Sequence, residues 1–130
     1  MTLIEWTPEF SLGVAELDNE HRDMIQIVNR LYQQVQSGRY QATVIDSLEE
    51  LHTSAASHFA HEEEMMRTHN YAAYEEHYAD HRRLLAEVTA MIDQCQDGVD
   101  DDEVVAKWLY EWFCNHFKIH DAPLHQLICA

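Results

Sequence analysis

Proline and glycine are nearly missing from this 130-residue chain: Pro8 and Pro123 are its only prolines, and Gly13, Gly38 and Gly98 its only glycines. Residues 14–122 therefore hold no proline and two glycines. Those residues are the strongest breakers of local structure, so the span is expected to be almost entirely helix. Basic residues are scarce as well. Eight Lys and Arg stand against 24 Asp and Glu, a formal net charge of −16. A surface this acidic repels phosphates and offers no basic stripe, which excludes nucleic acid as a partner. No apolar run approaches the ~20 residues that span a bilayer. The opening MTLIEWTPEF has neither the basic nor the apolar region of an export signal, so nothing argues for export. Cys95, Cys114 and Cys129 form an odd set without a CxxC pair, which reads as a reduced, cytoplasmic protein. The length, with 46% hydrophobic residues, suits one domain with a real core.

The few breaks divide the chain. Gly38 in QSGRYQ and Gly98 in QDGVDDD read as helix ends, and Asn70 in RTHNY as a cap for the helix that follows. Four helices are expected, at about 18–37, 41–67, 71–96 and 102–120, after an irregular arm over residues 1–17. Their apolar residues recur at alternating steps of three and four, as in a bundle core. The seams read His21, Ile25, Val28, Tyr32, Val35; Val44, Leu48, Leu51, Ala55, His58, Glu62, Met65; Tyr74, His77, His81, Leu84, Val88, Met91, Cys95; and Val105, Leu109, Trp112, His116. Short connections make the fold an all-α, antiparallel, up-down-up-down four-helix bundle.

Histidine is what the chain has in excess, with ten copies. His21, His58, His77, His81 and His116, together with Glu62, occupy seam positions that ought to be apolar. One such histidine is ordinarily a hydrogen-bonded core residue. Six buried polar groups are another matter, because each costs roughly 2–7 kcal/mol when left without a partner, against a net stability of about 5–15 kcal/mol for a whole domain. They must satisfy one another or share a ligand. At 1.5 Å per residue, His21 lies about 26 Å from the Gly38 turn, and His58 and Glu62 about 27–33 Å beyond Tyr40. From the Asp97–Asp102 connection, His81 is about 24 Å away and His116 about 21 Å. An antiparallel bundle thus brings all of them to one end, which argues for a metal site between the helices.

Five imidazoles and a carboxylate exceed the four ligands of a closed zinc site, so two metals are implied. No HExxH is present, which counts against a zinc protease. Ferritin-like carboxylate sites need Glu-x-x-His on two helices, and the chain has that spacing once, from Glu49 to the off-seam His52. Imidazole-rich, thiolate-free coordination suits iron ahead of copper or zinc. Two cations also need a second bridging carboxylate beside Glu62. Spacing favours His120, about 40° round the helix from His116, over Asp121, about 140° away. The need for an anion favours Asp121, which can face inward if the helix loosens or ends ahead of Pro123.

Taken together these residues resemble the hemerythrin family, in its single-domain bacterial type. The resemblance rests on Trp6, Ser11-Leu-Gly-Val14, Asp18-x-x-His21, His58-Phe-x-x-Glu62-Glu63-x-x-Met66, His77-x-x-x-His81 and Trp112-x-x-x-His116-x-x-x-x-Asp121. Leu12 lies within the second of these. The resemblance decides for Asp121 over His120. It implies a non-haem, oxo- or hydroxo-bridged pair of iron ions, with His77, His81 and His116 on one and His21 and His58 on the other. Glu62 and Asp121 would bridge them, leaving one position open on the two-histidine iron. The implied activity is reversible dioxygen binding for storage, transport or delivery to an oxygen-consuming enzyme, by a protein that is not itself an enzyme and acts as a monomer. Trp112, Phe113 and Phe117 are the expected wall of a dry dioxygen pocket. Phe113 and Phe117 stand where the family more often has leucine and isoleucine, and Met24 where leucine is frequent.

The remaining features read as ordinary surface or packing. His61, His69, His120 and His125 are extra histidines, His61 lying one turn from His58. The acidic runs Glu62–Glu64 and Asp100–Glu103 read as mostly solvated, Cys95 and Cys114 as buried thiols, and Arg82 and Arg83 as surface ion-pair partners. A redox enzyme of peroxidase or oxidase type and an oxygen sensor are the alternatives for the same site. Turnover would call for a general acid beside it, and sensing for an attached output domain.

Overall fold

The computed structural model describes residues 3–11, 13–38, 41–98 and 102–124. Leu12, Tyr40, Asp100, Asp101, His125 and Cys129 lie outside these described residues. A single turn of 3-10 helix at Pro8–Phe10 precedes four helices, α1 Ala15–Gln36, α2 Gln41–Thr68, α3 Tyr74–Cys95 and α4 Asp102–His116. A π-helical turn, Phe117–Asp121, continues α4, and residues 122–124 return to α-helix. The helices form the expected antiparallel four-helix bundle, with α1 packed on α2 and α4, and α2 on α3. Among the described residues, no helix is long and apolar enough to cross a membrane.

Each helix is held by its seam. Val28, Leu48, Leu51, Ala55, Leu84, Val88 and Leu109 are buried almost completely and join into one core. Tyr32 and Val35 only pack against its edge. Near the end of α2 the seam runs to Met66, which is fully buried, rather than to Met65, which joins a small cluster with Leu17 and Phe117. α4 meets α3 through large side chains: Trp108 Nε1 donates to Glu87 Oε1 at 3.1 Å and Trp112 Nε1 to the Leu84 carbonyl at 3.0 Å.

Three boundaries differ from the sequence reading. α1 opens at Ala15 rather than at about residue 18. Asn70 closes α2 instead of capping α3. Its φ of 51° is left-handed, and the Tyr71 amide donates back to the Met66 carbonyl at 2.9 Å, which is the Schellman way of ending a helix. α3 then starts at Tyr74 with no side-chain cap. α4 does not stop at residue 120 but widens, because Pro123 has no amide hydrogen to continue the α pattern. The Ala122 amide donates instead to the Phe117 carbonyl, five residues back. That widening decides where Asp121 points.

The described part of the N-terminal arm, ahead of α1, is firmly docked. Asn29 Oδ1 accepts from the Leu3 and Ile4 amides at 2.9 and 2.8 Å, and its Nδ2 donates to the Ile4 carbonyl at 2.8 Å. Arg22 lies 4.4 Å over the Trp6 ring. Phe10 packs edge-on against Phe113 and Phe117.

Candidate metal centre

Four helices and the π-turn deliver seven polar side chains to one end of the bundle: His21 from α1, His58 and Glu62 from α2, His77 and His81 from α3, His116 from α4, and Asp121. All are buried. The pairs His58/Glu62 and His77/His81 are spaced i,i+4 and share a helix face. His116 and Asp121 are spaced i,i+5, and the extra residue of a π-turn rotates that spacing inward. His120 is left at the edge, half-buried, with Nε2 3.6 Å from Asp80 Oδ2.

The imidazoles aim Nε2 at the two carboxylates. His77 Nε2 lies 2.9 Å from Asp121 Oδ1 and His116 Nε2 3.0 Å from the same oxygen. His21 Nε2 lies 3.3 Å from Asp121 Oδ2. His81 Nε2 and His58 Nε2 approach Glu62 Oε1 at 3.1 and 3.5 Å. Glu62, His77, His81, His116 and Asp121 each offer a ligand atom within 4.8 Å of all the others, and His21, His58, Glu62 and Asp121 form a second such group. The two carboxylates belong to both groups.

Hydrogen bonding alone does not satisfy this cluster. His21 Nε2, His58 Nε2, His116 Nε2 and Glu62 Oε2 are buried without a hydrogen-bond partner, as are His21 Nδ1 and His77 Nδ1. Buried polar atoms are rarely left so. The Nε2 atoms of His21, His58 and His116 face the two carboxylates, and nitrogen and carboxylate oxygen donors are what a transition metal of intermediate softness takes. The residues present fit a pair of metal ions.

The outer nitrogens show how the rings are held. His58 Nδ1–H donates to Glu20 Oε1 at 2.9 Å, His81 Nδ1–H to Glu63 Oε2 at 2.8 Å, and His116 Nδ1–H to Asp80 Oδ2 at 2.6 Å. A carboxylate on the far nitrogen fixes the tautomer, turns Nε2 toward a metal and raises its basicity. Phe59 stacks flat on His81, centroids 4.0 Å apart, and locks that ring further. Arg83 donates to Asp80 at 2.8 Å, with a second ion pair to Glu87, while Arg82 lies over Tyr78.

Sequence reading missed Glu20, Glu63 and Asp80, and Glu63 is not the solvated residue expected of its run. A signal was present. Each is the immediate neighbour of an inward-facing residue, Glu20 of His21, Glu63 of Glu62 and Asp80 of His81. One position along a helix is a rotation of about 100°, which turns each carboxylate from the core toward the adjacent helix. His61 is mostly exposed, yet its Nδ1 lies 2.6 Å from Glu20 Oε2, so it shares that carboxylate with His58.

Without metal the cluster is a mesh of charges. Burial opposes a charge on His58, but Glu62 and Glu20 outweigh it and raise its pKa to about 10. Burial likewise opposes a charge on His116, and Asp121 and Asp80 raise it to about 10. Burial and the neighbouring Asp121 push Glu62 up, and His58 and His77 more than reverse this. Burial also pushes Asp121 up, while His116, His21 and His77 hold it well below the usual carboxylate range.

Beside the cluster lies a cavity of about 10 Å³, lined by Met24, Phe59, Leu84, Trp112, Phe113, His116 and Asp121. That is room for about one water-sized molecule. Of the three residues singled out from the sequence for a pocket wall, Trp112 and Phe113 line it. Phe117 does not; it packs with Leu17 while its ring meets the His21 ring at 5.6 Å. Met24, Phe59 and Leu84 are wall residues that sequence reasoning did not single out for this place.

Comparison with known proteins agrees with the geometry. A family model described as the Hemerythrin HHE cation binding domain matches residues 12–128. A bacteriohemerythrin of Pseudomonas aeruginosa (strain LESB58) is 28% identical over 122 residues, covering 94% of this chain and 79% of its own length. One from Clostridium acetobutylicum is 29% identical, covering 82% of this chain and 89% of its own. Hemerythrin subunit 2 of Golfingia vulgaris is 28% identical, with coverages of 89% and 85%. A crystal structure of hemerythrin with a leucine-to-alanine mutation has the same fold, with a TM-score of 0.87 at 24% identity over all of both chains. With a family model spanning nearly the whole chain, a matching bundle, and a cluster of nitrogen and carboxylate donors at its end, the protein belongs to the hemerythrin family.

Proposed function

We propose that this chain binds dioxygen reversibly at a non-haem di-iron centre, for oxygen storage, transport or delivery to an oxygen-consuming partner. The observation that carries the reading is the set of buried ring nitrogens without hydrogen-bond partners, His21 Nε2, His58 Nε2 and His116 Nε2, around the two shared carboxylates Glu62 and Asp121. In this reading His77, His81 and His116 hold one iron, His21 and His58 the other, and Glu62 and Asp121 lie between them. When bound, a diferrous pair supplies electrons and an open position for a small ligand.

The chain's own residues do the rest. Glu20, Glu63 and Asp80 hold three of the rings in place. Phe59, Leu84, Trp112 and Phe113 give the adjoining cavity a largely apolar wall, and a dry site favours a bound ligand over side reactions. The wall of that cavity carries few polar groups. Its polar members besides the indole are His116 and Asp121, both committed to the cluster, and the Trp112 N–H is engaged by the Leu84 carbonyl. Cys95 and Cys114, which form no disulfide among the described residues, suit a reducing cytoplasm, where we place the protein as a monomer.

The test is to reduce the iron-loaded protein without air, measure iron per chain, and record visible spectra through cycles of oxygen addition and removal. Two irons and a band that comes and goes with oxygen are expected. Two irons with a single irreversible oxidation would replace the carrier by a redox enzyme or sensor, and absence of stoichiometric iron would remove the centre.

A further inference from the structure

We infer that Met24 is a site of oxidative modification, its thioether taking an oxygen atom from hydrogen peroxide set free inside the bundle; the inference rests on the dioxygen-binding reading above. Met24 follows His21 by three residues on α1, so it lies one turn along the same helix face. Its side chain is 3% exposed and lines the small cavity that also touches His116 and Asp121. It carries the only sulfur in that wall. Asp121, which would lie between the two irons, joins this cavity to the site, so a molecule that passes from the site into so small a space meets the Met24 thioether.

The chemistry balances. Hydrogen peroxide is dioxygen plus two electrons and two protons; an iron pair held by these residues would supply both electrons on passing from diferrous to diferric, and solvent water would supply the protons. A lone pair on sulfur then attacks one peroxide oxygen, the O–O bond breaks, that oxygen stays on sulfur as the sulfoxide, and the other leaves as water. Sulfoxide formation turns a flexible apolar side chain into a polar one. In this cavity the new S=O group would draw in water and end the dryness on which a stable bound ligand depends. Met24 would thereby record failed binding events and retire the site, until a sulfoxide reductase restores it.

The other described methionines provide the contrast. Met65 and Met91 are half-buried, and Met66 is fully buried in α2, outside the cavity wall. Oxidant from bulk solvent reaches Met65 and Met91 first; oxidant from the cluster reaches Met24 first.

Trypsin releases Asp23–Arg30 with Met24 as its only methionine, so a mass spectrum reads the modification directly. The iron-loaded full chain is cycled between reductant and air with catalase present to remove bulk peroxide, and the metal-free chain is treated with hydrogen peroxide alone. Met24 sulfoxide at least about tenfold above that at Met65 and Met91 is expected in the loaded chain, with the reverse order in the metal-free one. A loaded chain that holds two irons and responds to oxygen but leaves Met24 unmodified overturns this inference alone. So does equal Met24 oxidation in both samples, or its suppression by catalase. A chain that takes up no iron overturns the dioxygen reading as well, and the iron assay tells the two failures apart.

Discussion

His116 Nε2 and Asp121 Oδ1 lie 3.0 Å apart although they stand five positions apart in the chain, a spacing that an α-helix turns to different faces. The π-turn Phe117–Asp121 closes that gap, and it does so where Pro123 removes the amide that would otherwise tighten the chain. The cost of a local defect is offset by a shared carboxylate that touches His21, His77 and His116 at once. The i,i+4 neighbour His120 is left to a peripheral contact with Asp80. Asp121→Asn keeps the shape and removes the charge, and we expect it to hold fewer than two irons per chain. His120→Ala should retain both. Metal analysis after desalting checks the pair, and equal iron in the two variants would mean that the π-turn serves some other purpose.

Glu20, Glu63 and Asp80 make a second, graded prediction. Each accepts a hydrogen bond from the far nitrogen of one inward-facing histidine, and losing such a contact typically weakens a metal site about 10–100-fold. Glu20→Gln, Glu63→Gln and Asp80→Asn should each fold and still take up iron. Each should lose it to a competing chelator at that lower threshold. Asp80→Asn should be the most sensitive, because Asp80 also anchors Arg83 and is held well below the usual carboxylate range by His116 and Arg83 against the opposing effect of burial.

What the sequence discloses and what it hides have separable causes. Seam periodicity is a sum over many residues, so the four helices and the buried set of His21, His58, Glu62, His77, His81 and His116 are legible from spacing. Asp121 needs the resemblance to settle it, because a π-turn breaks the period on which spacing arguments depend. Asn70 misleads for a local reason: the same residue type caps a helix start and tolerates the left-handed end of one. Glu63 is hidden because an acidic triplet looks solvated until the neighbouring helix supplies His81. The cavity wall is hidden most thoroughly. Met24 and Leu84 are apolar residues on core faces like any others, and only the packing of four helices reveals which of them face the same small space.

The metal-free protein should show a characteristic pH profile. His58 and His116, raised to about 10 by the carboxylates round them, contribute stability that is fully present below their unfolded value of about 6.5 and is lost as pH rises through about 10. Glu62 and Asp121 are depressed, so their contribution is present above ordinary carboxylate values and is lost as pH falls below them. Thermal melting of the metal-free chain should therefore peak between about pH 5 and 6.5 and decline in both directions. Metal must displace the imidazole protons, so binding should release protons and tighten as pH rises. Melting curves with and without metal check both signs, and a metal-free protein that gains stability from pH 7 to 9 would contradict them.

Asn29 tests whether the arm matters to the centre. Three hydrogen bonds tie it to Leu3 and Ile4, and the same arm sets Phe10 against Phe113 and Phe117, whose rings reach His21 at 5.9 and 5.6 Å. Asn29→Ala leaves two amides and a carbonyl of the arm to find water, at a cost of about 1–3 kcal/mol. Because that side chain sits far from the metal cluster along α1, the bundle core should survive and iron content should stay at two per chain. The arm, once loose, no longer holds Phe10 over Phe113, and water then has a shorter way to the cavity. We expect faster loss of the oxygen-dependent band on repeated cycling, together with rapid amide exchange at Leu3 and Ile4. Fast exchange without any change in the band would show that the arm stabilises the fold but does not seal the site.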